Sequence, residues 1–223
     1  MVTAGIEIAD SEGLLALSIR GVASRLGAPP MSLYRHVRSK EDLVGLMAEQ
    51  ALGEERLPEA APPGLRTQLE VAARLEWKVL RRHPWLARVL NISRPTPTPN
   101  TLGMAEWVLR ALDTSGLDAA DRLQVHVLLH SFIQGLAVNL EAEAQALGET
   151  GVSEQEHMQR YEAKFKALTV SGRFPSFAKL SRELPADFEL EVDALFEQGL
   201  TTFLDGLEAR LARVGRGDIQ RSS

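Results

Sequence analysis

The chain has 223 residues, 44% of them apolar and 25% charged, with no cysteine and a net charge of −5. That length can bury a real core, and the composition is that of an ordinary folded chain rather than a disordered one. Lack of cysteine excludes disulfides, thiolate nucleophiles and zinc-thiolate sites, and the net charge alone argues against a nucleic-acid partner.

Almost every patterned segment shows helical spacing, and no alternating β-branched run is bounded by hairpin turns. The chain therefore reads as all-α, with a three-helix head over residues 1–53 and a larger helical body over 64–223. The first helix is predicted over 3–11, with Ile6 and Ala9 inward and Gly13 beyond its end. Ser18 caps a second helix whose inner face is Ile19, Val22, Ala23 and Leu26, and Gly27 closes it where a left-handed residue is needed. Pro29 and Pro30 suit a helix start and no interior turn, so the third helix begins here and is predicted to run through His36. Ser39-Lys40-Glu41-Asp42 reads as a capping box with two acids in the first turn of a fourth helix, which lasts to about Gly53.

Pro58, Pro62, Pro63 and Gly64 punctuate a linker. A helix over 65–82 follows, stopped by His83-Pro84, and then a short one over 85–91. Residues 94–99, with a proline at every second position, form an extended connector. The next helices span 101–112 and 118–147; in the second, apolar residues from Val125 to Leu136 surround the axis, which predicts burial on most sides. Its apolar stretch is interrupted by His126, His130 and Gln134, and the N-terminus lacks the basic start of a signal peptide, so a cytoplasmic protein without a membrane span is expected. A break over 148–153 precedes a helix with Met158, Tyr161, Phe165 and Leu168 on one stripe, and irregular structure is expected near Pro175. The last helix, predicted over 186–214 and roughly 40 Å long, carries an apolar stripe from Phe188 through Phe196 and Phe203 to Leu211. That stripe exceeds what one subunit covers, which points to a homodimer.

Charge is distributed unevenly. Residues 18–40 hold Arg20, Arg25, Arg35, Arg38 and Lys40 and not one Asp or Glu, while the remainder of the chain is acidic. Two short amphipathic helices joined by a glycine turn place the second across the first, where its exposed half can enter a major groove about 12 Å wide. Leu33 and Val37 face inward, leaving Met31, Ser32, Arg35 and, in part, Tyr34 and His36 outward. An arginine there can bond two acceptors of guanine, whereas Ser18, Lys40 and the Tyr34 hydroxyl suit phosphates. A solvated three-helix unit with no partner is the alternative, and five cations without an acid weigh against it.

The segment Ser32-Leu33-Tyr34-Arg35-His36-Val37-Arg38-Ser39-Lys40 resembles the recognition segment of the TetR repressor family, and the likeness extends over 13–52. It implies that Arg20, Pro30, Met31, Ser32, Tyr34, Arg35, His36 and Lys40 face DNA. Members usually carry a basic arm ahead of the first helix, and this sequence opens within that helix, so minor-groove contacts from an arm are left open. Arg81-Arg82-His83-Pro84, Arg94-Pro95 and Phe132-Ile133-Gln134-Gly135 resemble the tetracycline-repressor type of C-terminal domain more weakly. That likeness implies an effector cavity among helices five to eight and pairing of the last helix and the 118–147 helix across a two-fold axis. The founding member chelates magnesium and tetracycline through a histidine just before Arg-Pro. The matching place here is Leu90 and the acidic partner position is Asn139, so a more apolar effector and no metal are expected.

Trp77 and Trp107 are candidate cavity walls, or equally plain core, with Leu90, Ser131, Gln134 and Asn139 as further lining. His126 and His130 stand one turn apart, a spacing that can bind metal, yet no nearby helical acid completes a ligand set and a core or interface role is expected. No cofactor is expected. No Gly-rich phosphate loop, serine elbow or His-Asp pattern is present, which disfavours an all-α enzyme; a helical interaction module with a vestigial head is the third reading. The expectation is a repressor that reads a palindromic double-stranded operator through two heads about 34 Å apart, released by a small apolar effector, with the fourth helix as lever.

Overall fold

The computed structural model describes residues 1–95, 97–185 and 188–221, with side chains described as far as Val214. Among the described residues all regular structure is helical.

The head comprises α1 (Val2–Glu12), α2 (Ile19–Arg25), α3 (Pro30–Leu33) and α4 (Lys40–Leu52). The Ser18 hydroxyl accepts the Gly21 N–H at 3.0 Å, satisfying a donor that the first turn of α2 leaves free. Gly27, at φ 62°, makes the left-handed turn that swings the chain into α3. The third helix is shorter than predicted. Only Pro30–Leu33 is helical, and residues 34–36 continue as turns because the N–H groups of His36 and Val37 share the Leu33 carbonyl, at 2.8 and 3.1 Å. That tightening drops Val37 into the core beside Leu33. At α4, Ser39 accepts the Asp42 N–H at 3.1 Å. Asp42 in return accepts from the Arg38 N–H at 3.0 Å, one residue further back than a capping box requires.

The body comprises α5 (Leu65–Arg82), α6 (Leu86–Val89), α7 (Pro99–Leu112), α8 (Ala119–Thr150), α9 (Glu154–Val170), α10 (Pro175–Glu183) and α11 (Val192–Arg221). α5 packs on α7 and α8, α11 lies against α8 and α5, and α4 touches α5, α6 and α7. Trp77 of α5 stacks on Phe196 of α11, centroids 4.8 Å apart, and Phe132 of α8 lies beyond it at 6.1 Å. Gly199 makes room for that Phe132 ring, which occupies the space a Cβ would need.

Several expectations for the body are corrected, among them α6, which is confined to Leu86–Val89. α7 starts at Pro99, earlier than predicted, because Thr98 and Thr101 form a capping box around a first-turn proline; Thr96 of the connector lies outside the described residues. α8 continues through Gly148 and ends where Gly151 adopts φ 65°. Within one chain α8 is buried along a single stripe, Val125, Leu129, Ile133, Ala137 and Glu141, while Leu123, Leu128 and Val138 are exposed. α5, α6, α7 and α11 all pack on α8, so Phe132, Leu136 and Leu140 beside the stripe are partly buried, and only the apolar residues on the far side face outward. Pro175 opens a helix instead of breaking one, as a first-turn proline can.

The last helix also differs. Its predicted start at Ala186 lies outside the described residues, and residues 188–191 are not helical. Phe188 is 51% exposed with no face to pack on, whereas Asp193 in the first turn of α11 accepts from the Trp77 indole at 2.8 Å and pairs with Arg81 at 3.3 Å. α8 is long and apolar enough to cross a membrane by length and composition, yet its buried stripe is packed against body helices and its His130 is bonded across to Glu76 of α5 and to the carbonyl of Leu90, which caps α6.

Leu43 has no exposed surface and Leu46, one turn on, is 45% exposed. Leu43→Ala should cost about 2–5 kcal/mol in urea unfolding of the full chain, and Leu46→Ala should stay within about 0.5 kcal/mol.

Candidate DNA-reading face and body cavity

The cationic block of the head divides into two groups. Arg25 turns back to α1 and pairs with Glu7 at 3.2 Å and Glu12 at 4.0 Å. The Lys40 ammonium donates to the Leu14 carbonyl at 3.0 Å, tying α4 to the loop after α1. Among the described residues the side chains of Arg20, Arg35 and Arg38 enter no ion pair, and all three are exposed. Met31 is 73% exposed and Tyr34 45% exposed, and Pro30 and His36 also face solvent. Ser32 is half-buried and donates to the Pro29 carbonyl at 2.6 Å, while Ser18 remains exposed as the α2 cap. Leu33 and Val37 hold this face from beneath, being 5% and 2% exposed. Of the nine residues expected to face DNA, seven are exposed; Ser32 and Lys40 are half-buried, and the Lys40 charge is spent on an internal bond.

The body holds a small cavity of about 20 Å³, bounded by Ala72, Ala73 and Glu76 of α5, Met104 and Val108 of α7, and His126, Leu129 and His130 of α8. That is room for about one water. None of the six expected lining residues borders it. Trp77 faces α11, the Trp107 indole donates to the Gln68 carbonyl at 3.0 Å, and Ser131 bonds back to the Val127 carbonyl. Asn139 is exposed and bonds the carbonyls of its own helix. Leu90 and Gln134 adjoin the cavity at one remove: Gln134 donates to the Ala87 and Leu90 carbonyls, and the Leu90 carbonyl also meets His130.

The two histidines of α8 differ in charge state. His130 Nδ1 lies 2.6 Å from the Glu76 carboxylate and Nε2 lies 3.0 Å from the Leu90 carbonyl. Both partners accept, so the ring donates from both nitrogens, which only an imidazolium can do. Burial pushes its pKa down, but Glu76 and the Leu90 carbonyl outweigh it and raise the value to about 8. His126 has no such partner, and burial first, then the charge of His130, lowers its pKa despite the attraction of Glu76. It is the neutral member, with one donor and one acceptor. The acid missing from the local helix thus arrives from α5, 54 residues away in sequence. Even so, no three His, Asp or Glu side chains gather as a metal set among the described residues. Two histidines one turn apart were the available signal for this cavity; nothing in the sequence paired them with Glu76.

Comparison with known proteins agrees with both halves. Residues 57–211 match the family described as tetracyclin repressor-like, C-terminal domain. The HTH-type transcriptional repressor DrrR1 of Streptomyces coeruleorubidus is 34% identical over 96% of this chain and 77% of its own length. The class A tetracycline repressor protein from transposon 1721, in Escherichia coli, is 27% identical over 94% of this chain and 89% of its own. The crystal structure of the TetR family protein ActR of Streptomyces coelicolor in complex with actinorhodin has a TM-score of 0.74 at 27% identity, covering 93% of each chain.

A group whose folded pKa is raised contributes stability that is fully present below its unfolded value of about 6.5 and is lost as pH rises through the folded value. The His130 contribution should therefore fade as pH rises from 6.5 through about 8. Imidazole titration by NMR should show this ring titrating near 8, and Glu76→Gln should bring its midpoint down, because the carboxylate that favours the charged ring is gone.

Proposed function

The chain belongs to the tetracycline-repressor family of transcriptional regulators, and from that premise we propose that it is a cytoplasmic, non-catalytic homodimer whose heads hold a palindromic operator until a small, largely apolar effector enters the body. The head is residues 1–53 and the body 64–223. The observation that carries the reading is the sorting of the head's charges: Arg20, Arg35 and Arg38 stay exposed and outside the ion pairs of the described residues, Met31 and Tyr34 of the recognition segment are exposed with them, and Leu33 and Val37 are buried. Arg35 is assigned to a base edge, and Arg20, Arg38, Ser18 and Tyr34 to backbone phosphates. Pro30, Met31, Ser32 and His36 complete the surface; Lys40 serves it indirectly, by fixing the loop at Leu14.

Large apolar residues left exposed in one chain support the dimer. On α9 and α10 Met158, Tyr161, Phe165, Leu168, Phe177 and Leu180 are each between 43% and 60% exposed. An apolar surface of that extent marks an association site. Of the apolar stripe expected on the last helix, Phe196 and Leu207 are already buried within one chain, while Val192, Phe203 and Leu211 are only partly buried.

The cavity suggests how an effector acts. At about 20 Å³ it admits no organic molecule as it stands, so a ligand there binds only a widened state and shifts the population toward it. Widening displaces α7, which supplies Met104 and Val108. Asn100 in the first turn of α7 donates to Glu49 of α4 twice: from its backbone to the carboxylate at 2.9 Å and from its side chain to the carbonyl at 2.8 Å. Movement of α7 is thereby passed to α4, and α4 carries the head. In the widened site His126 offers one donor and one acceptor to a carbonyl or hydroxyl, among apolar walls.

Selection of duplexes from a random pool with the full chain, followed by binding across salt concentrations, tests the reading. A selected palindrome with steeply salt-dependent affinity is the expected result; no salt-dependent binding to any duplex overturns it, and a stable monomer at micromolar concentration by sedimentation overturns the dimer. Arg35→Ala should weaken the selected site by about 1–3 kcal/mol and relax one base position, while Arg20→Ala should weaken selected and random duplexes alike and reduce the salt slope by about 1.

A further inference from the structure

His83 stands just beyond α5, belongs to the body and is 3% exposed. Each of its ring nitrogens meets a carboxylate carried by the head. Nδ1 lies 2.8 Å from Asp10 of α1, and Nε2 lies 3.2 Å from Glu54, just past the end of α4. The Trp85 indole donates to the same Asp10 oxygen at 2.7 Å, and Arg82 donates to the same Glu54 oxygen at 2.8 Å. Carboxylates accept and do not donate, so bonding both requires a proton on each nitrogen, as at His130.

We propose that His83 is a proton-dependent clasp between body and head: as an imidazolium it binds α1 and the end of α4 at once, and as a neutral ring it releases one of them. A neutral imidazole has a single N–H. Its other nitrogen presents a lone pair, which repels the carboxylate facing it. Because α1 and α4 flank the recognition segment, this ring adds a proton-dependent part to the hold of the body on the head, beside the bonds from Trp85 to Asp10, from Arg82 to Glu54 and from Asn100 to Glu49. The clasp works by a route separate from the contact between Asn100 and Glu49, and its existence does not depend on DNA binding.

The charged surroundings support the assignment. From α1 the ring faces Asp10, from the end of α4 it faces Glu54, from α5 it adjoins Arg82, and the turn before α6 supplies only the uncharged Trp85. Glu55, the next acid, pairs with Lys78 at 2.7 Å and not with the ring. Burial favours the neutral ring, but the bonds and charges of Asp10 and Glu54 outweigh it and raise the pKa above its ordinary value. Arg82 leads the causes that hold the Glu54 carboxyl below the usual range. With a raised pKa the clasp is complete below about pH 6.5 and opens as pH climbs through the folded value.

Hydrogen-deuterium exchange of the full chain between pH 6 and 9, corrected for the intrinsic pH dependence of exchange, reads the clasp directly. As pH rises, protection of α1 amides should fall by about tenfold to a hundredfold, the scale of one charge-assisted hydrogen bond. The Trp85 indole N–H resonance should shift with the same midpoint. His83→Gln should start at the high-pH level of α1 exchange and stay there, and Asp10→Asn should move the transition to lower pH. The His130 transition persists in both variants and reports α5 and α8, which separates the two rings. Protection of α1 that is flat across this range in the wild-type chain, or a Trp85 signal that ignores it, overturns the proposal. Should His83→Gln fail to fold, the wild-type profile and Asp10→Asn decide alone. A chain that bound no duplex would leave every one of these measurements intact.

Discussion

Helix α4 is held from both sides, and the rest of the molecule depends on that. Leu43, Met47, Ala48 and Ala51 are buried almost without remainder. On the head side the Met47 sulfur lies 2.8 Å from where a Cβ of Gly5 would stand, so α1 and α4 approach as closely as side chains allow. On the body side the Asn100 amide lies 2.8 Å from the equivalent point on Gly53 while bonded to the Glu49 carbonyl. Interiors packed this densely do not deform continuously. A displacement of α7 or of the α5–α6 corner is therefore handed on to the recognition segment instead of being absorbed.

Electrostatics divides the work in a similar way. Cations that look equivalent in the sequence are sorted by what lies within reach: Arg25 finds two acids of α1 and Lys40 finds a carbonyl, and only the remainder can serve an external anion. Three histidines receive three environments. His83 and His130 each bridge two acceptors and carry charge in the interior, whereas His126, one turn from His130, is left neutral. The exposed network joining Arg66 and Arg74 of α5 to Glu197, Asp205 and Glu208 of α11 orients two helices but adds little stability, since such pairs are solvated and screened.

The small cavity and the exposed apolar arm describe a chain that is incomplete alone. A body packed down to the volume of one water around Glu76, His126 and His130 presents its polar groups only when helices part. Meanwhile α9 and α10 display aromatic and aliphatic side chains to solvent. Both features match a protein whose working state includes a second copy and, at times, a ligand.

The sequence by itself determined the number and order of the head's helices and where each begins, because those starts are local events: Ser18 and Ser39 as caps, Pro30 in a first turn, Gly27 in the left-handed region; where α3 ends, at Leu33 and not His36, was decided by Val37 dropping into the core. It also determined which face of the recognition segment points outward, since Leu33 and Val37 leave no other arrangement. What only tertiary structure decided are the pairings between distant residues, Glu76 with His130 and His83 with Asp10 and Glu54, and therefore where charge is buried and where a cavity remains. Trp77, Trp107, Ser131 and Asn139 could not be excluded as lining from periodicity, because a helical repeat shows that a face is covered without saying by what. The start of α11 was illegible for the same reason: its apolar stripe continues through Phe188, but packing against α5 begins only at Asp193.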